Sequence, residues 1–306
     1  MSTDRSNPAL AYTLPFQLTK KIHRAVPTEL NPENSENSAK GKIIVITGGG
    51  TGIGAAAARV WVRAGAEGVV IAGRREDVLE KTAKELKALS KGATKILAVR
   101  TDITKEKDTD NLFAQVKESF GRPAEVVLAN AAALSTLQRP HEETVENWWK
   151  IYEINMLGTH NTAMSFIRSQ PNPSEPVGSL ISVNSGLAGM LEPLVSAYST
   201  SKLAVQRYME YLNLEYPTLR VFSLMPGIVA TEMAATSFLP YAKDDAEQTG
   251  ALALYLSSPR ADYLKGSMTS INWDIDEMEA HKGEIEKGLL KIKWHPILPV
   301  SGGSGF

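Results

Sequence analysis

Short apolar runs alternate with longer amphipathic stretches over most of this chain, and this alternation constrains the fold more than any other feature. Seven runs have the length of buried strands, at residues 43–47, 69–72, 96–99, 126–130, 180–183, 220–225 and 267–273. Six stretches have a helical period, near 53–64, 77–90, 106–119, 144–168, 197–215 and 244–257. Continuously apolar strands are buried on both faces, and each crossover between them is right-handed. The pattern therefore predicts a doubly wound, Rossmann-type α/β domain, with a mostly parallel seven-stranded sheet and helices on both faces.

The chain outside this pattern divides into two shorter segments. Residues 1–40 are rich in Pro, Asn, Ser and Glu and have neither period, which predicts an N-terminal arm. The single domain is expected at 41–276. Residues 277–306 are first charged and then rich in Pro and Gly, which predicts a C-terminal extension without a core of its own.

Composition limits the partners of this protein. The net charge is −1 and basic residues are scattered among acidic ones, so we expect no nucleic-acid partner. The absence of cysteine excludes disulfides and thiolate metal sites, and we expect no metal. No run of eighteen apolar residues occurs, and the first residues lack the apolar stretch of a signal peptide. We therefore expect a cytoplasmic protein with no membrane association.

A glycine-rich loop, TGGGTGIG, connects the first predicted strand to an alanine-rich helix. Gly48 permits a tight exit from the strand, and Gly52 and Gly54 allow the backbone to approach a pyrophosphate, which the helix N-terminus would attract. A glycine-rich turn without a ligand is the alternative, but the strand–loop–helix setting favours a dinucleotide site. The residues expected to form it are Gly48, Gly50, Thr51, Gly52, Ile53 and Gly54.

The end of the second predicted strand bears on the choice between NAD and NADP. A carboxylate there would accept hydrogen bonds from both ribose hydroxyls of NAD, but the chain has Arg74 and Arg75, and Glu76 comes only after them. Arginine pairs well with a 2′-phosphate, so the sequence favours NADP over NAD. The alternative is that both arginines simply face water.

Tyr198 and Lys202 lie one turn apart on one face of a predicted helix. A lysine charge about 4 Å from the phenol would lower its pKa from about 10 by roughly two to three units, which suits proton transfer. In a chain with nine tyrosines such a pair also arises by chance. Its significance comes from Ser185, at a strand end, and Asn155, in EINMLG, both expected at the carboxyl edge of the sheet.

Six motifs together resemble the short-chain dehydrogenase/reductase family over about residues 41–275. They are, in order, TGGGTGIG, LANAA, EINMLG, the strand-end serine, YSTSK and MPGIVAT. The resemblance implies an NAD(P)-dependent enzyme that transfers a hydride between the nicotinamide and a carbonyl or secondary alcohol. The glycine spacing is similar to that of the shorter subgroup rather than to the sugar-nucleotide epimerases.

The resemblance implies a role for each catalytic candidate. Tyr198 would be the acid/base, Ser185 would bind the substrate oxygen, and Lys202 would lower the pKa of Tyr198 and bind ribose. Asn155 would hold a proton-relay water. Non-redox members that catalyse epimerisation or dehydration, and a cofactor-binding sensor or scaffold without turnover, are the alternative functions.

The resemblance also implies further cofactor contacts. Asp102 would meet the adenine, Asn130 would support the central strand, and Pro226-Gly227-Ile228 with Thr231 would cradle the nicotinamide amide. Beside them, Ile103 and Ala131 are further candidates for the cofactor site. The chain departs from the family at Ala132, where glycine is usual, so a methyl group stands where backbone meets cofactor.

Two stretches would form a substrate pocket over the nicotinamide, GLAGMLEPLVS after Ser185 and EMAATSFLPYA after Thr231. Their large apolar residues predict an apolar ketone or secondary alcohol, for example a secondary metabolite; ordinary core packing is the alternative. These residues are Met190, Leu191, Met233, Phe238 and Tyr241. Trp294 or the N-terminal arm would close the site.

The resemblance finally implies self-association. The helices near 144–168 and 197–215 commonly form a subunit interface in this family, which predicts a homodimer or homotetramer. Large aromatic residues of both helices suit burial there, although packing inside one subunit would bury them equally well. They are Trp148, Trp149, Tyr208 and Tyr211.

Overall fold

A computed structural model describes residues 11–134 and 136–293 of the chain. It contains one seven-stranded sheet, and every pair of neighbouring strands is parallel, in the order β3-β2-β1-β4-β5-β6-β7. In chain order the strands are β1 Ile43–Thr47, β2 Gly68–Gly73, β3 Lys95–Arg100, β4 Val126–Ala129, β5 Ser179–Val183, β6 Arg220–Met225 and β7 Met268–Ser270. The predicted doubly wound α/β fold is therefore confirmed.

Helices cover both faces of the sheet. The helices are α1 Gly52–Arg63, α2 Glu76–Ser90, α3 Glu106–Phe120, α4 Val145–Tyr152, α5 Gly158–Ser169, α6 Ser196–Glu215, α7 Glu247–Leu256, α8 Ile275–Ala280 and α9 Lys282–Glu286. Helices α1, α2 and α7 share one buried cluster, and α3, α5 and α6 share the other. Successive β1 side chains enter opposite clusters, Ile44 the first and Val45 the second. This double burial explains why the strands are apolar without alternation.

Two departures from the predicted elements concern the carboxyl edge of the sheet. The long helix expected near 144–168 is interrupted by a π-helical turn at Glu153–Leu157, which separates α4 from α5. The seventh strand ends at Ser270 instead of 273, because Trp273 leaves the sheet and forms an antiparallel bridge with Ile22 of the N-terminal arm. Both departures lie close to the site described below.

The described part of the arm packs against the sheet layers through short 3₁₀ turns. These are Leu14–Phe16, Thr28–Leu30 and Ser35–Asn37. Leu30 and Ala39 are buried in the cluster that holds α1 and α7. The division into arm, domain and extension stays a prediction. Within 11–134 and 136–293, no helix is long and apolar enough to cross a membrane.

Candidate active site

Two cavities meet at the carboxyl ends of the strands. The larger one, of about 400 Å³, follows the glycine loop and the ends of β2, β3 and β4. The smaller one, of about 190 Å³, lies beyond the ends of β5, β6 and β7. Tyr198 lines both cavities. We call them the cofactor cavity and the substrate cavity.

The glycine loop has the shape that a pyrophosphate requires. Gly48 and Gly52 have φ values of +67° and +53°, which other residues rarely adopt. A Cβ on Gly54 would collide with the carbonyl oxygen of Gly48, so only glycine at this position lets the two backbone segments of the loop pack this closely. Thr51 precedes α1 without a capping side-chain hydrogen bond, which leaves first-turn N–H groups of the helix for a ligand. The loop fits a dinucleotide.

A threonine that sequence reasoning missed joins the loop to the neighbouring strand end. The Thr47 hydroxyl accepts hydrogen bonds from the N–H groups of Asn130 and Ala131, both at 3.1 Å. The Asn130 side chain donates in return to the Thr47 carbonyl at 2.9 Å. The exits of β1 and β4 are thereby held together beside the cofactor cavity. The only sequence signal for Thr47 was its position at the end of the first predicted strand.

Two exposed arginines and a carboxylate lie at the far end of the cofactor cavity. Arg74 and Arg75 line it, and Arg75 lies 3.5 Å from the Glu232 carboxylate. Burial acts to raise the pKa of Asp102, but hydrogen bonds from Thr104 and the charge of Arg74 outweigh it and lower the pKa. Asp102 is therefore a charged acceptor at neutral pH.

Most predicted cofactor residues line the cofactor cavity. They are Gly48, Gly50, Thr51, Gly52, Ile53, Arg74, Arg75, Asp102, Ile103, Asn130, Ala131, Tyr198, Lys202, Pro226 and Thr231. Gly227 and Ile228 line the substrate cavity instead, and Gly54 lines neither of the two. The sequence did not single out Ile154, Thr101 and Asn184, which also line the cofactor cavity.

Ser185 and Tyr198 lie side by side in the substrate cavity. A hydrogen bond from the Ser185 hydroxyl favours the phenolate form of Tyr198, but burial has the larger effect and raises the pKa of the phenol. Tyr198 is therefore a neutral phenol at pH 7. The Ser185 hydroxyl also accepts the N–H of Leu187 at 3.1 Å, which fixes its orientation.

The predicted effect of Lys202 on Tyr198 is corrected by the structure. The Lys202 ammonium donates to the carbonyl oxygen of Val183 at 2.8 Å and lies 5.8 Å from the centre of the Tyr198 ring. Burial lowers the pKa of Lys202 to about 8, and the side chain is still mostly charged at pH 7. The expected lowering of the Tyr198 pKa is wrong for this structure because the prediction ignored burial.

Asn155 occupies the π-helical turn, and its side-chain hydrogen bonds are used within the protein. It accepts from the N–H of Ala133 at 2.8 Å and donates to the Ala133 carbonyl and to the Ser201 hydroxyl, both at 3.0 Å. Ser201 in turn donates to the Tyr198 carbonyl at 2.7 Å. Asn155 thus connects the segment after β4 to the backbone of the tyrosine. Ser201 was visible in YSTSK but was not singled out.

Asp244 holds the turn after β6, and sequence reasoning missed it. Its carboxylate accepts hydrogen bonds from the Ile228 N–H at 2.7 Å, the Asn272 amide at 2.7 Å and the Arg24 guanidinium at 2.8 Å. Gly227 has a φ of +66°, and a Cβ there would collide with the same carboxylate. The Asp244 carboxylate therefore joins the turn after β6, the segment after β7 and the N-terminal arm.

Most of the residues predicted for the substrate pocket line the substrate cavity. Met190, Met233, Phe238 and Tyr241 do so, whereas Leu191 is 99% exposed and does not. Trp294 lies outside the described residues. No group of three or more His, Asp or Glu side chains within 11–134 and 136–293 is arranged to hold a metal ion.

The parallel sheet and the glycine loop at its carboxyl edge define a Rossmann-type α/β protein. The family profile described as short chain dehydrogenase matches residues 42–241. The chain therefore belongs to the short-chain dehydrogenase family, whose members are oxidoreductases that bind nicotinamide cofactors.

Known relatives agree with this assignment. The chain is 29% identical over 292 residues to the short chain dehydrogenase pigC of Monascus ruber, covering 91% of this chain and 94% of the relative. A short-chain type dehydrogenase/reductase from Mycobacterium marinum superposes with a TM-score of 0.68 at 26% identity, covering 76% of this chain and 95% of the other. The 3-ketoacyl-(acyl-carrier-protein) reductase of Brucella melitensis, complexed with NADH, superposes with a TM-score of 0.68 at 25% identity, covering 77% of this chain and 98% of the other.

Replacing Asp244 with alanine should loosen the turn after β6. The change leaves Arg24 without this carboxylate and frees the Ile228 N–H, so we expect a loss of about 3 kcal/mol in the free energy of unfolding. We also expect the nicotinamide cofactor to bind at least about tenfold more weakly. Urea unfolding and fluorescence titration measure both. Asp276→Ala, at an exposed acid of α8, is the control, and equal behaviour of the two variants contradicts the role given to Asp244.

Proposed function

We propose that the protein is an NADP(H)-dependent oxidoreductase that transfers a hydride between the nicotinamide and a small apolar ketone or secondary alcohol. One observation carries this proposal: Tyr198 lines both cavities, with the Ser185 hydroxyl beside its phenol. A group at that junction can exchange a proton with a substrate whose carbon faces the cofactor. The secondary-metabolite class expected from the sequence stays a prediction.

The proposed proton transfer follows from the state of Tyr198. A neutral phenol can donate its proton to a carbonyl oxygen as negative charge develops there, and Ser185 can donate a hydrogen bond to the same oxygen. In the oxidative direction Tyr198 first has to lose its own proton, after which its phenolate accepts the proton of the alcohol that Ser185 holds by a hydrogen bond. The bound nicotinamide supplies or accepts the hydride.

Lys202 and Asn155 support this transfer in different ways. The Lys202 ammonium lines the cofactor cavity near Tyr198, where it suits the ribose hydroxyls as hydrogen-bond partners. Asn155 positions the tyrosine through Ser201, and the water relay expected from the family pattern stays a prediction. Tyr198 and Ser185 therefore act on substrate, and Asn155 acts through its neighbours.

The cofactor preference rests on the charges at the end of β2. Arg74 and Arg75 line the cofactor cavity, while Glu76 begins α2 and does not line it. A 2′-phosphate would gain charge-assisted hydrogen bonds from the arginines. The similar reductase from Brucella melitensis was solved with NADH. Similarity to known structures therefore does not distinguish NADP from NAD, and the preference rests on Arg74 and Arg75.

Substitution of the phenol tests the proposed reaction. Tyr198→Phe should lower kcat about 10²- to 10⁴-fold, because the proton donor is removed, while NADPH still binds. Steady-state kinetics with NADPH and a panel of neutral ketones, followed by absorbance of the reduced nicotinamide, measures the effect. Tyr211→Phe, on the exposed side of the same helix, should leave kcat unchanged. Wild-type turnover in Tyr198→Phe would refute the mechanism.

Removing the two arginines tests the cofactor preference. Arg74→Ala combined with Arg75→Ala should lower kcat/KM for NADPH roughly 100-fold and leave kcat/KM for NADH nearly unchanged, since only NADPH carries the 2′-phosphate. Arg100→Ala, an exposed arginine at the end of β3 outside the cavity lining, is the matched control. An equal loss with both cofactors would contradict the proposal.

Exposed apolar residues on α4 and α6 support a homo-oligomer, the homodimer or homotetramer expected from the sequence. Trp149 of α4 and Tyr211 of α6 are 55% and 54% exposed, and the two helices pack against each other. Trp148 and Tyr208 are half-buried within the subunit, so they are not available to the same extent. The cytoplasmic location expected from the sequence stays a prediction.

Light scattering after gel filtration tests self-association. The wild type should have at least twice the chain mass of 33.2 kDa, and Trp149→Glu combined with Tyr211→Glu should have the mass of one chain, because charge opposes burial of this face. Leu89→Glu, at an exposed leucine of α2, should behave as the wild type. A double variant that stays associated would exclude this face as the interface.

A further inference from the structure

Residues 19–24 of the N-terminal arm are fixed along the end of the sheet. The backbones of His23 and Asn272 are joined by a hydrogen bond of 3.0 Å, and the Asn272 amide donates to the His23 carbonyl at 2.9 Å. His23 lies 3.0 Å from the buried carboxylate of Asp274, and the hydroxyl of Thr19 accepts the Asp274 N–H. With the Arg24–Asp244 pair, these contacts attach the arm at a defined register.

The arm segment before this anchor forms one wall of the substrate cavity. Tyr12, Thr13, Phe16 and Arg24 line the cavity. The carbonyl of Phe16 accepts the indole N–H of Trp273 at 2.7 Å. The Phe16 ring lies against Gly186, where an added Cβ would be 2.7 Å from the ring. Phe16 therefore covers the residue next to Ser185.

Tyr12 extends this wall into the segment after β6. Its ring meets Tyr241 and Phe238 edge to face, with centroid distances of 4.9 and 5.6 Å. Six of the residues that line the cavity are aromatic, namely Tyr12, Phe16, Tyr198, Phe238, Tyr241 and Trp273. Aromatic surfaces of this kind favour an aromatic ligand through edge-to-face or offset contacts.

Size and charge narrow the ligand further. The volume of about 190 Å³ exceeds the roughly 150 Å³ of a protein cavity that binds benzene, so one ring with a short substituent fits. Arg24 and Asp244 are the charged residues among the described lining, and they pair with each other at 2.8 Å. A neutral ligand avoids disturbing this pair, since a charged one would have to compete for it.

We propose that Tyr12 and Phe16 of the arm are specificity-determining residues that select a neutral aryl ketone, or the corresponding benzylic alcohol, for this site. Turnover of such a compound rests on the proposed function, whereas its binding does not. The selecting wall lies outside residues 42–241, the part of the chain that matches the family profile. Specificity would thus come from a segment added to the shared fold.

A pair of matched ketones tests the proposal by binding. Acetophenone and cyclohexyl methyl ketone carry the same substituent on an aromatic and a saturated ring. NMR titration of the full-length protein with NADP⁺ present should give about fivefold tighter binding of acetophenone. Tyr12→Ala and Phe16→Ala should each reduce this ratio to below about twofold, and Tyr12→Phe should keep it.

The control is Leu14→Ala, which truncates an exposed side chain in the same turn as Phe16, outside the cavity lining, and should keep the wild-type ratio. Thermal unfolding checks that each variant is folded. Equal binding of both ketones to the wild type, or an unchanged ratio in both alanine variants, would overturn the proposal. Discrimination in binding without any NADPH oxidation would instead support the role of the wall and refute the proposed reaction.

Discussion

The parallel pairing of β1, β4, β5 and β6 is the constraint on which the rest of the structure depends. Because neighbouring strands run in the same direction, their carboxyl ends meet at one edge, and Val183 lies opposite Leu224 in register. The loop after each strand then carries one part of the site, from Gly48 after β1 to Pro226 after β6. A polar clamp such as Thr47 with Asn130 is needed there, because buried backbone groups beyond the strands have lost their ladder partners.

Burial at this edge also sets the chemistry. It moves both Tyr198 and Lys202 toward their neutral forms, raising the pKa of the phenol and lowering that of the ammonium to about 8. The two shifts have one cause, the exclusion of water from the site, and this exclusion also strengthens the interaction of any added charge with its neighbours. A developing alkoxide would therefore interact with Tyr198 and Ser185 more strongly than it would in water.

Periodicity and loop chemistry made much of the fold predictable. The bounds of β1 and β6 agree to the residue, since apolar runs end where the chain must turn. The π-helical turn around Asn155 was not predictable, because its extra residue is stabilised by contacts to Ala133 and Ser201 that are distant in sequence. Asp244 was missed for the same reason: its partner Arg24 is 220 positions away, and no local pattern marks either residue. The predicted lowering of the Tyr198 pKa was wrong because the spacing of Tyr198 and Lys202 in the sequence carries no information on how deeply the two side chains are buried.

The arm shows how a shared fold can acquire its own specificity. Arg24 and the Ile228 N–H bind the same carboxylate of Asp244, so the wall of the substrate cavity and the turn beside the cofactor cavity are held by one group. Moving the arm would take the Arg24 guanidinium away from the buried carboxylate of Asp244, which is costly. The arm therefore acts as a fixed part of the site rather than as a loose cover. The Phe16 ring lies against Gly186, the residue next to Ser185, and selection by ring contacts requires such a defined position, since these contacts weaken steeply with distance.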